Sequence, residues 1–322
     1  MLDFGFYPTP VECIERLSTA KATLWVKRDD LTNPLYGGSK VRKLEPLLAE
    51  ARDLGAKQIV TLGAVGSHHV LATAIFAKRA GLKVAAVLLR QPRSTHVLET
   101  VRASIGQGVV PVPVSSYAEA MQQLAVRAAG GAYAIPAGGS SLVGTRGIAS
   151  AAEELADQVR AGLLPEPDLI VLPLGSGGTA AGLAAGLVRS ALRSRVLAIP
   201  VAQPLKVFVH KTRALAAQVA GDSWRAAVAA RLEVDERYLG VGYGHSTPAG
   251  EHARREAASQ GLKLDDTYTA KAFAAALDRI ALGRERNVLF WNTLSSADMA
   301  PLLLSAPHEH ELAPEVRALA YA

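Results

Sequence analysis

The stretch Leu169-Ile170-Val171-Leu172-Pro173-Leu174-Gly175-Ser176-Gly177-Gly178-Thr179 decides the fold. Its first half is an unbroken apolar run, the pattern of a strand buried on both faces. Its second half is a glycine-rich turn that opens an alanine-rich helix, Thr179 to Arg189. Strand, turn and helix in that order make the unit of an α/β protein. Leu24 to Lys27, Gln58 to Leu62, Val84 to Leu89, Val109 to Val112, Val196 to Ile199 and Val288 to Trp291 read as further buried strands. Ser67 to Arg79 and Ala118 to Ala129 read as helices between them. The recurrence predicts parallel, twisted sheets flanked by helices.

The rest of the chain narrows the class. Its 322 residues suit two lobes better than one core. Leu163 to Asp168, with Pro165 and Pro167, reads as a hinge between them. Pro46 is expected to kink a helix from about Ser39 to Leu54 or to delay its start. The single cysteine, Cys13, excludes an internal disulfide framework and reads as a packing residue in a reducing compartment. Met1 to Pro10 has no secretory pattern, and no apolar run reaches the ~20 residues that span a bilayer, so a cytoplasmic location and no membrane contact are expected. The formal charge of +6 comes from scattered residues, which argues against nucleic acid and for a surface that attracts anionic ligands.

Two motifs carry chemistry. In Gly175-Ser176-Gly177-Gly178-Thr179 the glycines aim backbone N–H groups at one point, the helix start adds partial positive charge, and Ser176 and Thr179 add hydroxyls. That is a phosphate cradle. It lacks the Gly-Lys-Ser/Thr of a Walker loop and the spacing of a dinucleotide fingerprint. In Tyr36-Gly37-Gly38-Ser39-Lys40-Val41-Arg42-Lys43-Leu44-Glu45 two glycines place Lys40 at a helix mouth. There the helix dipole and the neighbouring Arg42 and Lys43 are expected to disfavour its protonation. Only a neutral amine attacks an aldehyde, so such a lysine suits carbonyl chemistry.

These motifs resemble a known group nearly end to end. It contains 1-aminocyclopropane-1-carboxylate deaminase and D-cysteine desulfhydrase, within the tryptophan-synthase-β-like (fold type II) pyridoxal-phosphate (PLP) enzymes. Pro8-Thr9-Pro10, Lys27-Arg28-Asp29-Asp30, Gly37 to Glu45, Ile135-Pro136-Ala137-Gly138-Gly139-Ser140, Gly175 to Thr179, Gly242-Tyr243-Gly244 and Asp265 to Lys271 carry the likeness in order. The resemblance implies a two-lobed α/β architecture, with 1–42 and 148–322 as the large cofactor domain and 43–147 as the small domain, and a homodimer. It implies that Lys40 binds PLP and later moves the substrate's α-proton. Lys43 would help hold the phosphate, and Ser67 would stand beside the substrate carboxylate and Cα. Tyr243 and Tyr268 would line the substrate side as acid/base groups or as wall. Thr269 would meet the pyridine nitrogen, where the desulfhydrase also has threonine and the deaminase glutamate.

The departures are local. Ser39 stands for the family's asparagine before the lysine, Gly66-Ser67-His68 for Gln-Ser-Asn, and Asn292-Thr293-Leu294-Ser295-Ser296 for a His-Thr-Gly-Gly ending. His68 is expected to contact the cofactor, with a satisfied structural histidine or a new acid/base group as the readings it is set against. Adjacent His68 and His69 diverge on a helix, so no metal site is expected. The reaction expected is α,β-elimination on a small amino acid, giving a keto acid and ammonia. Ring-opening deamination, β-replacement, racemisation and PLP binding without turnover are the alternatives.

Overall fold

The computed structural model describes residues 2–321, so residues 1 and 322 of the expected large domain lie outside the described part. The chain groups into two compact units, one of residues 5–43 and 141–296, the other of residues 2–4, 44–140 and 297–321.

Among the described residues, the first unit holds a six-stranded sheet. Its spatial order is Val11–Cys13, Thr23–Lys27, Asn287–Trp291, Leu169–Leu174, Arg195–Pro200, Leu232–Val234. Neighbours run parallel except Val11–Cys13, an antiparallel edge on Thr23–Lys27. The apolar runs are continuous because each strand serves two cores. Ile170, Leu172, Val196, Ala198, Leu289 and Trp291 pack with the helices Leu142–Arg160 and Gly178–Arg189. Their neighbours Leu169, Val171, Leu197, Ile199, Val288 and Phe290 pack with the helices Pro248–Ser259 and Thr269–Leu282. With side chains alternating across a strand, a sheet covered on both faces needs apolar residues at every position.

The second unit holds a parallel sheet in the order Val109–Pro113, Lys83–Leu89, Gln58–Ala64, Tyr133–Ile135. The helices His68–Arg79, Thr95–Gly106 and Tyr117–Ala129 connect its strands. The grouping differs from the expected division at residue 43, at 141–147 and at both chain ends. Ala320 and Tyr321 pair with Gln91 and Pro92, and Arg102 Nε donates to Pro307 O at 2.7 Å, which ties the C-terminal segment to this unit.

One local expectation is corrected and another is narrowed. Leu163 to Asp168 is not a hinge between units, since the helix Leu142–Arg160 before it and the strand Leu169–Leu174 after it share one unit. Leu164 is buried there and Leu163 N–H bonds Gln158 O at 3.0 Å, so the segment is a packed connection. Pro46 does not delay its helix, which runs from Lys40 to Asp53 with the proline inside. No described helix is long and apolar enough to cross a membrane.

The helices Leu142–Arg160 and Gly178–Arg189 touch at backbone distance. A Cβ at Gly186 would lie 2.4 Å from Ala149 O and 2.6 Å from Ala152 Cβ. Gly186→Ala gains helix propensity of about 1 kcal/mol, but the clash meets backbone that cannot swing away. A net loss of roughly 1–3 kcal/mol is expected, read as a lower urea midpoint. An unchanged or higher midpoint would contradict the close approach.

Candidate active site

The lysine turn is built on a buried carboxylate. Asp29 is 0% exposed and accepts from Arg42 Nε (3.0 Å) and Nη2 (2.8 Å), Ser39 Oγ (2.7 Å) and Trp291 Nε1 (2.8 Å). Arg42 forks on to Glu154 Oε2 at 2.9 Å, and Lys27 Nζ meets Glu154 Oε1 at 2.5 Å and Gln158 Oε1 at 2.6 Å. Gly38 N–H donates to Asp29 O at 2.9 Å, and Ser39 N–H to Thr293 O at 3.2 Å. Gly38 adopts φ +93°, and a Cβ there would lie 2.6 Å from Thr293 O, so only glycine fits the turn. Ser39 fits this arrangement because its short hydroxyl reaches the carboxylate that orders the turn.

Lys40 opens the helix Lys40–Asp53 and is half-buried. Burial lowers its ammonium below the ordinary lysine value, and Asp265 opposes that shift. The expected cause is corrected in one respect. Arg42 is spent on Asp29 and Glu154, so burial rather than this neighbouring cation is the driving cause. Lys43 is also buried, and burial followed by repulsion from Lys40 pushes it well below the ordinary value. Burial would raise the Asp29 carboxyl, but Arg42, then Ser39 and Trp291, outweigh it and hold it low.

The glycine loop lies in the same unit, between the strand Leu169–Leu174 and the helix Gly178–Arg189. Gly177 is the helix N-cap at φ +92°, and a Cβ there would lie 2.2 Å from Thr212 Oγ1. A Cβ at Gly175 would lie 3.0 Å from Tyr268 Cε1, so the tyrosine ring closes directly over the loop. Thr179 is buried in the first helical turn.

Tyr268 and Tyr243 form a pair, with hydroxyls 2.9 Å apart and rings edge-to-face at 5.7 Å. Burial pushes Tyr243 up to about 12 and Tyr268 well above the ordinary tyrosine value, so both hold their protons at neutral pH. Asp265 organises this side. Its carboxylate accepts the N–H groups of Thr267 (3.1 Å), Tyr268 (2.9 Å) and Thr269 (2.9 Å) and the Thr269 hydroxyl (2.6 Å). Thr269 is buried, and its oxygen also accepts Asp265 N–H at 2.8 Å. The hydroxyl of Thr269, the residue expected to meet the ring nitrogen, thus donates to Asp265 here.

The remaining two expected residues belong to the other unit. Ser67 caps the helix His68–Arg79, its Oγ accepting Val70 N–H at 3.4 Å. His68 Nε2 lies 3.0 Å from His96 Nε2, and His69 Nε2 lies 2.9 Å from Thr61 Oγ1, so the adjacent histidines turn to different partners. No cluster of metal-binding side chains occurs among the described residues.

Sequence reading missed Glu154, Asp265, Lys271 and His96. Asp265 was findable, because an aspartate just before a helix is a capping signal. Glu154 and His96 become partners only through the fold. Asn292 is fully buried, and its side-chain amide has no hydrogen-bond partner among the described residues.

Residues 2–293 match the family described as pyridoxal-phosphate dependent enzyme. The chain is 34% identical to a putative 1-aminocyclopropane-1-carboxylate deaminase of Thermotoga maritima, over 91% of this chain and 95% of that protein. It is 35% identical to nocardicin C-9′ epimerase of Nocardia uniformis, over 94% of each. Identity to D-cysteine desulfhydrase of Klebsiella pneumoniae is 33%, over 89% of this chain and 91% of the other. A crystal structure of an ACC deaminase homologue superposes with TM-score 0.77 at 29% identity, over 94% of this chain and 96% of that one. The residues present fit a cofactor with an aldehyde and a phosphate. Burial lowers the Lys40 ammonium below its ordinary value, and side chains at Gly175 and Gly177 would run into Tyr268 and Thr212, which keeps the backbone of the loop bare.

Asp29 and Glu154 sit below their ordinary values, so the stability they contribute is present above about pH 4 and lost as pH falls through the lower folded values. Asp29→Asn leaves Arg42 a partner short inside the protein, at an expected loss of about 3 kcal/mol at pH 7. Urea midpoints measured from pH 7 down to pH 2 should show the gap to wild type closing below about pH 4. A gap that does not depend on pH would contradict the role of the Asp29 charge.

Proposed function

The chain belongs to the pyridoxal-phosphate dependent enzyme family, and from that premise we propose that it is a lyase that carries out α,β-elimination on a small amino acid. One observation carries the reading: a half-buried lysine, Lys40, follows a glycine turn and is driven toward its neutral amine. A neutral amine serves both needs of the reaction, attack on an aldehyde and removal of an α-proton. Bound PLP supplies the electron sink for the charge that develops at Cα.

The chain's own residues divide the remaining work. Gly175, Ser176, Gly177, Gly178 and Thr179, with Lys43, hold the phosphate. His68 stands where the family has asparagine and contacts the cofactor, and Thr269, tied to Asp265, faces the ring. Ser67 takes the substrate carboxylate. Lys40 takes the α-proton. Tyr243 and Tyr268, protonated at neutral pH, line the leaving-group side and give a proton to the departing β-substituent. The bonds broken are Cα–H, Cβ–X and, with one water consumed, C–N. The products are a 2-keto acid, ammonia and HX. The sole cysteine, Cys13, and the family likeness support a cytoplasmic homodimer.

Epimerisation at Cα is the second reading, and the 35% identity to an epimerase favours it. It needs the same α-proton removal but returns a proton to Cα. Ring opening of the cyclopropane amino acid is less favoured, because that substrate has no α-hydrogen for Lys40 to remove.

The test is a panel of β-chloro-D-alanine, β-chloro-L-alanine, D-cysteine and 1-aminocyclopropane-1-carboxylate, each read for keto acid and for deuterium uptake at Cα. Keto acid from at least one β-substituted substrate, with the cyclopropane almost untouched, is expected. Deuterium uptake with inversion at Cα and no keto acid would favour the epimerase reading instead. Cyclopropane turnover with no chloroalanine turnover would overturn elimination.

A further inference from the structure

Tyr243 lies in a segment that has little of its own to hold it. Residues 239–247 form no helix or strand, and three glycines around the tyrosine take positive φ: Gly240 (+63°), Gly242 (+127°) and Gly244 (+83°). Glycines accept such conformations but also make the loop floppy when unfastened. The fastening comes from the helix Thr269–Leu282. Lys271, 0% exposed, donates from Nζ to Leu239 O at 2.9 Å and to Gly242 O at 3.0 Å. Both of these partners are neutral backbone carbonyls. An ammonium buried on two neutral carbonyls is a costly way to stabilise a fold, since desolvation is only partly recovered. Such a group is expected where geometry matters more than stability. Burial accordingly lowers Lys271 below the ordinary lysine value, with Asp265 opposing.

The same helix start also fixes the other tyrosine. Asp265 holds Tyr268 N–H and Thr269 N–H at its first turn, and Tyr268 reaches Tyr243 hydroxyl to hydroxyl at 2.9 Å. Lys271 therefore stands just short of one helical turn beyond Tyr268, whose partner it restrains.

We propose that Lys271 is a positioning residue, whose ammonium clamps the carbonyls of Leu239 and Gly242 and so holds Tyr243 against Tyr268. The proposal rests on the reading of the tyrosine pair as the proton-bearing side of the site. It assigns Lys271 no contact with substrate or cofactor.

The test compares wild type, Lys271→Met, Tyr243→Phe and the double variant. Three readouts are taken: melting temperature, hydrogen exchange of the peptide spanning 239–247, and kcat with KM on the best substrate of the panel. Lys271→Met removes the buried charge but leaves the carbonyls of Leu239 and Gly242 without their donor, so the melting temperature is expected to fall by only a few degrees. Exchange of 239–247 is expected to quicken at least tenfold, while the strand Leu169–Leu174 keeps its protection. The value of kcat should fall by roughly a hundredfold, the scale of a misplaced catalytic group, with a smaller change in KM. In the double variant the losses should not multiply, because both changes disable one unit. Should Lys271→Met fail to fold, Lys271→Gln, which keeps one donor arm, carries the same measurements. Unchanged exchange of 239–247 would overturn the clamp, as would kcat losses that multiply in the double variant. If wild type turns over nothing in the panel, the elimination reading fails while the exchange measurement still decides the clamp.

Discussion

A carboxylate without solvent contact, Asp29, takes hydrogen bonds from Arg42, Ser39 and Trp291, while Arg42 and Lys27 share Glu154 behind it. Charges buried this way are tolerable only when every partner is in place, because an unpaired ion in the interior costs several kcal/mol. The network therefore admits few alternative geometries. It joins the strands Thr23–Lys27 and Asn287–Trp291 to the helices Leu142–Arg160 and Lys40–Asp53 at one end of the sheet. The turn before Lys40 has no freedom left: Gly38 abuts Thr293, and Ser39 is held from both sides. Ion pairs and hydrogen bonds thus fix where Lys40 sits, and burial lowers its ammonium below the ordinary lysine value.

A second organising carboxylate, Asp265, works differently. It caps a helix instead of neutralising a cation, and its charge reaches Tyr36, Lys40, Tyr243, Tyr268 and Lys271. For Lys40 it opposes burial, and for the tyrosines it adds to burial. Burial and Asp265 thus act in opposite directions on the Lys40 ammonium and in the same direction on the phenols, which stay protonated. A base and an acid can coexist in one site when environment pushes their proton affinities apart.

The sheet was legible in the sequence because strands buried on both faces leave unbroken apolar runs such as Leu169 to Leu172. The short strands Val11–Cys13 and Leu232–Val234 left none, being three residues each at the sheet edges. The segment Leu163 to Asp168 read as a hinge because Pro165 and Pro167 look like a linker, whereas tertiary packing makes it a tight connection inside one unit. At the site, Lys40 and the glycine loop stood out because their residue types carry chemistry on their own. Glu154 and Lys271 did not, since a charge in a helix normally faces water and only the fold reveals that these two are turned inward. Ser39 could be read only as a departure until its bond to Asp29 showed that a shorter side chain does the local work.

Everything proposed for this chain requires that Lys40, and no other lysine, be the amine that meets the cofactor aldehyde. Lys27, Lys43 and Lys271 are buried more deeply still, but Lys27 and Lys271 are spent on fixed partners. Lys43 lies further into the same helix as Lys40. Borohydride reduction of the PLP-loaded protein, followed by digestion and mass mapping, separates these possibilities. A single pyridoxyl label on Lys40 is expected. A label on Lys43 or any other lysine, or a loaded protein that reduction does not label, would contradict the assignment.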